Sequence, residues 1–229
     1  MTALLLPLVG AVLLLLAPLG ARAGLWSYLV GFLLIAISLV LGAIGGTLAL
    51  VAAVKTPAPM PIVATVVGLA VVTIPVWMVL SFRGAPPIHD ISTDTSNPPA
   101  FARLLTMRQG ARNPPDYDGP QVAAQQRAAY PDIQPLVVAE PPPRAFERAL
   151  AAVGRLPWAV VAADGAAGRI EAVDTTLWFG FKDDVVVRVS ADGSGSRIDV
   201  RSKSRVGVGD GGANARRVRA LLDALRDGT

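Results

Sequence analysis

The sequence contains no cysteine and only one histidine, His89, among its 229 residues. The absence of cysteine excludes disulfides, thiolate metal sites and thiol nucleophiles together. A single histidine cannot supply a histidine metal cluster, and it would join a Ser-His-Asp triad only if its proline-rich surroundings folded over the rest of the domain. We therefore expect no metal ion and no cofactor, and the sequence identifies no catalytic residue.

Charge is nearly absent from the first third of the chain. Arg22 and Lys55 are the only charged side chains among the first 82 residues, and the first acid is Asp90. The other 147 residues hold all 17 carboxylates. Three apolar segments, residues 3–19, 25–54 and 62–82, are each long enough to cross a hydrocarbon core about 30 Å thick. The sequence therefore predicts a membrane anchor with three transmembrane helices over residues 1–83, and a lipid bilayer as its partner.

The excess of basic residues is too small to indicate nucleic-acid binding. The sequence pI is about 10.0, yet the formal net charge is only +4. Nucleic-acid binding normally requires a dense basic face, which a weakly charged chain does not supply. We expect no nucleic-acid partner.

The anchor sequence leaves three questions open. Residues 4–23 also match a signal peptide with an A-x-A cleavage site, although the extreme N-terminus lacks the usual Lys or Arg. Gly42 and Gly46 form a small-xxx-small pair that would let a neighbouring helix approach closely, but glycine is also common in membrane helices generally. The charges that orient membrane proteins are balanced, since Arg22 and Arg83 on one side oppose Lys55 and the terminal amine on the other.

The water-facing part divides into a linker and a domain. Residues 84–135 are rich in Pro, Asn, Asp and Gln, and they predict a linker that wraps the following domain. Residues 136–229 show apolar periodicity typical of a helix after three prolines and of a final helix over about 214–226, capped by Asn214. Strands are predicted between these helices. The order predicts an α+β domain of two layers, an antiparallel sheet covered by two helices.

A hairpin over residues 182–206 is the best-defined element. A turn centred on Gly193 and Ser194 would pair Arg188 with Asp199 and Asp184 with Lys203. Alternation places valines and isoleucine on one face, and it gathers the charged side chains on the other face: Lys182, Asp184, Arg188, Arg197, Asp199, Arg201, Lys203 and Arg205.

Three aromatic residues precede this hairpin. Strand alternation predicts that Phe179 and Phe181 share one face and that Trp178 lies on the other. At least one of the three rings would then be exposed. Such a ring would belong to the core, line an apolar ligand pocket or contact a partner.

Three ordered motifs in this part of the chain resemble the bacterial and plastid family known as domain of unknown function 1499. They are Asp174-Thr-Thr-Leu-Trp-Phe-Gly-Phe-Lys-Asp-Asp184, Ile198-Asp-Val-Arg-Ser-Lys-Ser-Arg-Val-Gly207 and Asp210-Gly-Gly-Ala-Asn214-Ala-Arg-Arg217. The resemblance covers residues 88–225 and implies little about function, because the family is named for having none assigned. Many members are exported or lipid-anchored, and the resemblance therefore favours a periplasmic domain on a multi-pass protein of the inner membrane.

The glycine-rich loop at residues 207–212 has the spacing G-x-G-x-x-G. It fails as a dinucleotide site because the following helix is the last element, and no second parallel strand completes a βαβ unit. Its N–H groups, the helix N-terminus and nearby arginines would suit an anionic group. The alternative is that the arginines pair with Asp183, Asp184 and Asp210 and that the glycines only form a turn.

These patterns predict a set of ligand-binding or partner-binding residues: Arg201, Lys203, Arg205, Asp210, Asn214, Arg216, Arg217, Asp183 and Asp184. Asp183 and Asp184 are adjacent in a strand and point to opposite faces, so that they do not readily chelate one ion together.

Three functions fit the sequence. The leading hypothesis is a non-enzymatic inner-membrane protein whose domain binds an envelope protein or an anionic or lipid-like ligand at the membrane surface. The alternative is an envelope hydrolase that uses Asp183 or Asp210 with Ser202 or Ser204, and convergence of these groups in one cleft would favour it. A purely structural membrane subunit is the third.

Overall fold

The structure is a computed structural model that describes the backbone of residues 2–227 and the side chains of residues 5–227. In chain order its elements are α1 (Thr2–Arg22), α2 (Tyr28–Lys55), α3 (Pro59–Ser81), β1 (Asp90–Ser92), α4 (Leu104–Met107), α5 (Pro120–Ala129), β2 (Leu136–Val138), α6 (Pro142–Gly154), β3 (Ala159–Asp164), β4 (Arg169–Thr175), β5 (Lys182–Asp192), β6 (Gly195–Ser204) and α7 (Ala213–Arg226). They form two compact units. The first comprises the residues up to Arg83 and the loop Leu177–Gly180, and the second comprises the rest.

The first unit contains the three apolar helices that the composition predicts. Candidate membrane spans run over Leu5–Arg22, Tyr28–Lys55 and Pro59–Ser81, each long and apolar enough to cross a bilayer. Proline opens α3 at its first turn, where the missing N–H has no intrahelical partner to lose. The loop Leu177–Gly180 belongs to the same unit, and the ring centroid of Phe179 lies 5.0 Å from that of Phe32.

Small residues set the distance between α2 and α3. A Cβ added at Gly68 would lie 2.6 Å from the Cα of Gly46 and 2.7 Å from the carbonyl oxygen of Gly42. No side chain fits at such a distance, so glycine is required at position 68, and a Cβ at Gly46 would in turn lie only 3.2 Å from the Cα of Gly68. The predicted close approach at Gly42 and Gly46 is therefore confirmed.

The second unit is built on an antiparallel sheet. Its strands follow the order β1-β6-β5-β4-β3, and β2 pairs with the beginning of β6 while β1 pairs with the end of β6. The predicted hairpin register is confirmed, since Arg188 pairs with Asp199 and Asp184 with Lys203. The turn at Gly193 has a φ of 57°, a conformation that glycine adopts without strain.

Helices α6 and α7 cover one face of the sheet. Val185, Val187 and Val200 lie against them in the main hydrophobic core. The apolar stripe predicted for the last helix is confirmed, with every member buried: Val218, Leu221, Leu222 and Leu225. The chain is thus an α+β protein in which three apolar helices precede an antiparallel sheet with helices, as the sequence predicts.

Residues 93–118, here called the strap, lie over the other face of the sheet. Phe101 and Leu104 of the strap form a second small core with Val173 and Val186 of the sheet. The carboxylate of Glu171 accepts hydrogen bonds from the N–H groups of Ala102 and Arg103 and so starts α4. The stretch interpreted as a linker therefore contributes β1, α4 and α5 to the fold, although its elements are too short for a periodic pattern.

Two local predictions are wrong. Asn214 is not the N-cap of α7, because Gly212 takes that position in a left-handed conformation and the carboxylate of Asp210 accepts from the N–H groups of Gly212 and Asn214. The aromatic residues Trp178 and Phe179 do not alternate along a strand, since β4 ends at Thr175 and β5 begins at Lys182. Both errors have a local cause. A turn built on Asp210 and Gly212 starts α7, and a loop interrupts the chain between β4 and β5.

Replacing Gly68 with leucine tests the glycine contact between α2 and α3. We expect the full-length protein in detergent to lose about 1–3 kcal/mol of unfolding free energy, because the new side chain must push the two backbones apart. The control is Val66→Leu on the same helix, where the side chain is 60% exposed and has room. Equal thermal unfolding midpoints for the two variants would contradict the described packing.

Candidate functional site

The sheet divides the predicted site residues between its two faces. Asp184, Arg201, Lys203 and Arg205 lie on the face under the strap. Asp183, Asn214 and Arg217 lie on the face under α6 and α7, since β5 and β6 alternate their side chains. The structure therefore does not bring the nine predicted residues together in one site.

Arg201 joins the sheet to the segment that leads out of the membrane anchor. Its Nε and Nη2 donate to the two carboxylate oxygens of Asp90 at 2.8 Å each. Further bonds reach the carbonyl oxygens of Pro99 and Pro115 in the strap. The guanidinium also lies over the rings of Phe101, at 4.9 Å, and Tyr117, at 5.5 Å. Arg201 is only 2% exposed, and its donors are engaged inside the protein.

Lys203 is completely buried beside Arg201. Its Nζ donates to the carboxylate of Asp118 and to the carbonyl oxygen of Asp116, both at 2.6 Å, and lies 3.2 Å from the carboxylate of Asp90. An unpaired ammonium in such a place would be strongly destabilising. The two carboxylates explain why a lysine is tolerated with no exposed surface.

Asp184 completes this layer of charge under the strap. Arg205 donates two hydrogen bonds to its carboxylate, and Arg108 of the strap forms a second, short ion pair with it. Burial lowers the pKa of Arg108, while the nearby charge of Asp184 opposes that shift. Burial likewise raises the pKa of Tyr117 to about 12, so that its hydroxyl stays protonated at neutral pH.

A second polar cluster lies at one end of the helix-covered face. Arg217 donates to Asp174 and Asp183, at 2.8 Å each, and to the side-chain oxygen of Asn214 at 2.7 Å. Ser202 donates to the same Asn214 oxygen, and the Asn214 amide donates to Ser204. Burial raises the pKa of Asp183, although the charge of Arg217 opposes it.

This cluster brings together three of the groups named for a hydrolase, Asp183, Ser202 and Ser204. Ser202 is fully buried, Ser204 is 6% exposed, and both hydroxyls are engaged in hydrogen bonds. The ring nitrogens of His89 face the carbonyl oxygen of Val208 and the carboxylate of Asp118. The groups therefore converge in a packed interior and not in the open cleft that hydrolysis of an envelope substrate requires.

The glycine-rich loop does not present an open anion cradle. The carboxylate of Asp210 occupies the N-terminus of α7 through bonds of 2.7 Å from the N–H groups of Gly212 and Asn214. Arg216 is exposed, and its guanidinium donates to the carbonyl oxygen of Gly211. Two of the three arginine–carboxylate pairings named as the alternative are present, because Arg205 pairs with Asp184 and Arg217 with Asp183.

A cavity of about 350 Å³ lies away from all these residues. Its lining, here called the β2 groove, consists of Leu136, Val137, Val138, Ala139, Glu140, Arg148, Leu225 and Arg226. Because β2 pairs with the beginning of β6, the groove lies at the opposite end of that strand from Arg201 and Lys203. Sequence reasoning missed it, since it forms where β2 meets the ends of two helices that are distant in sequence.

The polar groups of the β2 groove are incompletely satisfied. Arg148 and Glu140 form an ion pair at 3.2 Å across it. The Nε of Arg148 and the Oε2 of Glu140 are nevertheless buried without a hydrogen-bond partner among the described side chains and backbone. Buried polar atoms are normally bonded to protein or to ordered water, and the Nε of Arg108 and the hydroxyl of Tyr117 under the strap are likewise buried without a described partner. Across residues 2–227, no cluster of three or more His, Asp and Glu side chains is arranged to hold a metal ion.

These features define the class of the protein: an α+β domain that follows three candidate membrane spans. A family model described as "Protein of unknown function (DUF1499)" matches residues 90–225, from β1 to the last turn of α7. The chain belongs to this family. The expected resemblance is therefore confirmed.

Other comparisons add little. No curated protein is a significant match. A similar solved structure, TTHA0849 from Thermus thermophilus, covers 41% of this chain and 92% of its own, with 15% identity and a TM-score of 0.26. A likeness of that size carries no argument about function.

Exchanging Arg201 for methionine tests whether the buried layer of charge holds the fold. We expect a loss of about 3–5 kcal/mol in unfolding free energy, because Asp90 would remain buried without its main counter-charge. Arg201→Lys keeps the charge and should lose less. The matched control is Arg216→Met, an exposed arginine whose loss should change stability by less than about 0.5 kcal/mol. Equal denaturation midpoints for Arg201→Met and Arg216→Met would show that Arg201 is not structural.

Proposed function

We propose that this protein is a bacterial inner-membrane protein whose domain is a non-catalytic binding module, and that it binds an extended, acidic segment of an envelope protein in the β2 groove. The observation that carries the proposal is the composition of the groove: five consecutive residues, beginning with the strand β2, line it together with Leu225 and two arginines, Arg148 and Arg226. In this proposal none of the nine polar residues predicted from sequence contacts the partner, and all of them except the exposed Arg216 maintain the fold.

The strand edge supports an extended polypeptide as the occupant. Within residues 2–227, β2 pairs with β6 alone, so that its other edge is available to a further strand. Val137 in the middle of β2 is 61% exposed. An added strand would gain main-chain hydrogen bonds from β2, while alternate side chains would enter the groove beside Leu136 and Leu225.

Charge supports an acidic segment. Arg148 and Arg226 line the groove, and the Nε of Arg148 is the buried donor without a partner among the described residues. A carboxylate of the partner would accept from this nitrogen, and a hydroxyl or amide of the partner would donate to Glu140. Pairing both groups would remove the desolvation penalty of two unsatisfied buried atoms.

An envelope hydrolase is the second candidate, and one contact favours it. Asp183 accepts a hydrogen bond from Ser204, and burial raises the pKa of Asp183, which is the direction that a general base requires. Against it, Asp183 is 4% exposed and already forms an ion pair with Arg217 at 2.8 Å. Covalent labelling of Ser204 by a fluorophosphonate in the full-length protein would favour the hydrolase over the binding module.

Selection from a displayed library of random heptapeptides tests the groove. The target is the full-length protein in lipid nanodiscs, and we expect enrichment of peptides that alternate apolar residues with acidic ones. Arg148→Glu should reduce their binding by about tenfold or more, because a charge-assisted hydrogen bond is replaced by repulsion. The control is Arg144→Glu, an exposed arginine on the same helix that does not line the groove, and it should bind like the parent.

Two results of this selection would overturn the assignment. One is the absence of enriched peptides, and the other is enrichment of peptides that bind both variants equally.

A lipid-like ligand is distinguished separately, by exposing the same nanodiscs to a diazirine-bearing phosphatidic acid. Crosslinks to residues 136–140 would replace the protein partner with an anionic lipid, whereas crosslinks to the apolar helices alone would leave the groove to a polypeptide.

The orientation belongs to the same proposal. Arg22 follows the first span and the domain follows the third, so three crossings would leave both on the same side of the membrane. The charges near the spans do not decide which side that is. Family members that are exported or lipid-anchored favour the periplasm. A periplasmic domain would meet envelope proteins, which the proposed function requires.

Single cysteines determine the orientation without background, because the sequence has none of its own. We expect Ser194→Cys, at the exposed tip of the β5–β6 hairpin, to react with a membrane-impermeant maleimide in intact cells. Thr56→Cys, in the loop between α2 and α3, should react only after the cells are permeabilised, because that loop lies across the membrane from the domain. The reverse pattern would place the domain in the cytoplasm.

A further inference from the structure

We infer that one end of the domain docks on the lipid surface through three exposed apolar side chains, Leu177, Trp178 and Val208. This inference is independent of the β2 groove. It concerns how the domain is held against the bilayer and not what the domain binds.

The sheet topology gathers the relevant segments at one end. β4 ends at Thr175 and β5 begins at Lys182, so the loop between them lies at the end of the sheet where β6 also finishes, at Ser204. β1 begins at the same end, because Asp90 pairs with Lys203. The β4–β5 loop, the β6–α7 loop and the segment that arrives from the membrane anchor therefore share one end of the sheet.

Chain connectivity keeps this end close to the bilayer. A Cβ at Gly209 would lie 3.2 Å from the Cα of Pro87, so that the β6–α7 loop packs directly on the segment leading to β1. α3 ends at Ser81, and six residues span at most about 20 Å when fully extended. Pro87, on which the β6–α7 loop packs, is therefore tethered within about 20 Å of the end of the third candidate span.

The side chains at this end are apolar and open. Leu177 is 75% exposed, Trp178 is 50% exposed and Val208 is 79% exposed. The loop Leu177–Gly180 is also grouped with the anchor residues rather than with the rest of the domain. Tryptophan is enriched at membrane–water interfaces, where its ring meets lipid and its N–H meets water.

The opposite end of the sheet has a different character. Its turns consist of Gly165, Ala166, Ala167 and Gly168 between β3 and β4, and of Gly193 and Ser194 between β5 and β6. Neither turn carries a large apolar side chain. Exposed apolar side chains in the loops that share an end of the sheet with the chain arriving from the anchor, and their absence from the two turns at the other end, match a domain that rests on lipid.

Tryptophan fluorescence of the full-length protein tests the contact. The protein is reconstituted in phosphatidylcholine vesicles with and without bromine on the acyl chains, and the spectrum of Trp178→Phe is subtracted to isolate the emission of Trp178. We expect that emission to be about twofold lower in brominated lipid, because an interfacial ring touches the quencher. Leu177→Asp combined with Val208→Asp should reduce this quenching.

A relocated tryptophan provides the matched control. Ser194→Trp in the Trp178→Phe background keeps the number of tryptophans unchanged and moves one to the β5–β6 turn at the other end of the sheet. Aqueous iodide, and not brominated lipid, should quench this relocated tryptophan. Quenching of Trp178 by iodide with none by brominated lipid would overturn the inference and leave these side chains to a protein partner. Equal quenching of Trp178 and the relocated tryptophan by brominated lipid would also overturn it.

Discussion

The fold of the domain depends on the neutralisation of a charged sheet face by carboxylates and arginine from elsewhere in the chain. Asp90 of the short strand β1 pairs with Arg201, whereas Asp118 and Arg108 of the strap pair with Lys203 and Asp184 of the sheet. Charges removed from water destabilise a protein unless they are paired and hydrogen-bonded. The strap is therefore part of the folded domain, and removing it would strip Lys203 and Asp184 of these partners.

This constraint also determines what chemistry the polar residues can perform. An arginine that satisfies a buried carboxylate is not available to bind an external anion, and a buried serine with two hydrogen-bonding neighbours is a poor nucleophile. Arg217 illustrates the point, because its guanidinium already bonds Asp174, Asp183 and Asn214. A high density of charged residues in the sequence is for this reason a weak guide to a binding site.

A feature of this fold could be predicted from the sequence when its interacting residues lie close together in the chain. The β5–β6 hairpin was predictable down to its register, because alternation and turn chemistry are local. The partners of Arg201 and Lys203 were not predictable, since Asp90 belongs to a three-residue strand and Asp118 to a stretch without periodicity. The β2 groove was equally hidden, because its lining joins residues 136–140 to Leu225, and nothing in either stretch indicates that they meet.

The positions of the strand ends connect these features to the proposed role. The end of β6 that carries Lys203 is joined through Asp90 to the chain leaving the membrane, whereas the beginning of β6 supports β2 and its groove. Strands rise about 3.3 Å per residue, so the ten residues of β6 separate the two ends by about 30 Å. The groove and the segment that arrives from the anchor therefore lie at opposite ends of β6. A strand edge in the groove suits an extended polypeptide, the partner proposed above.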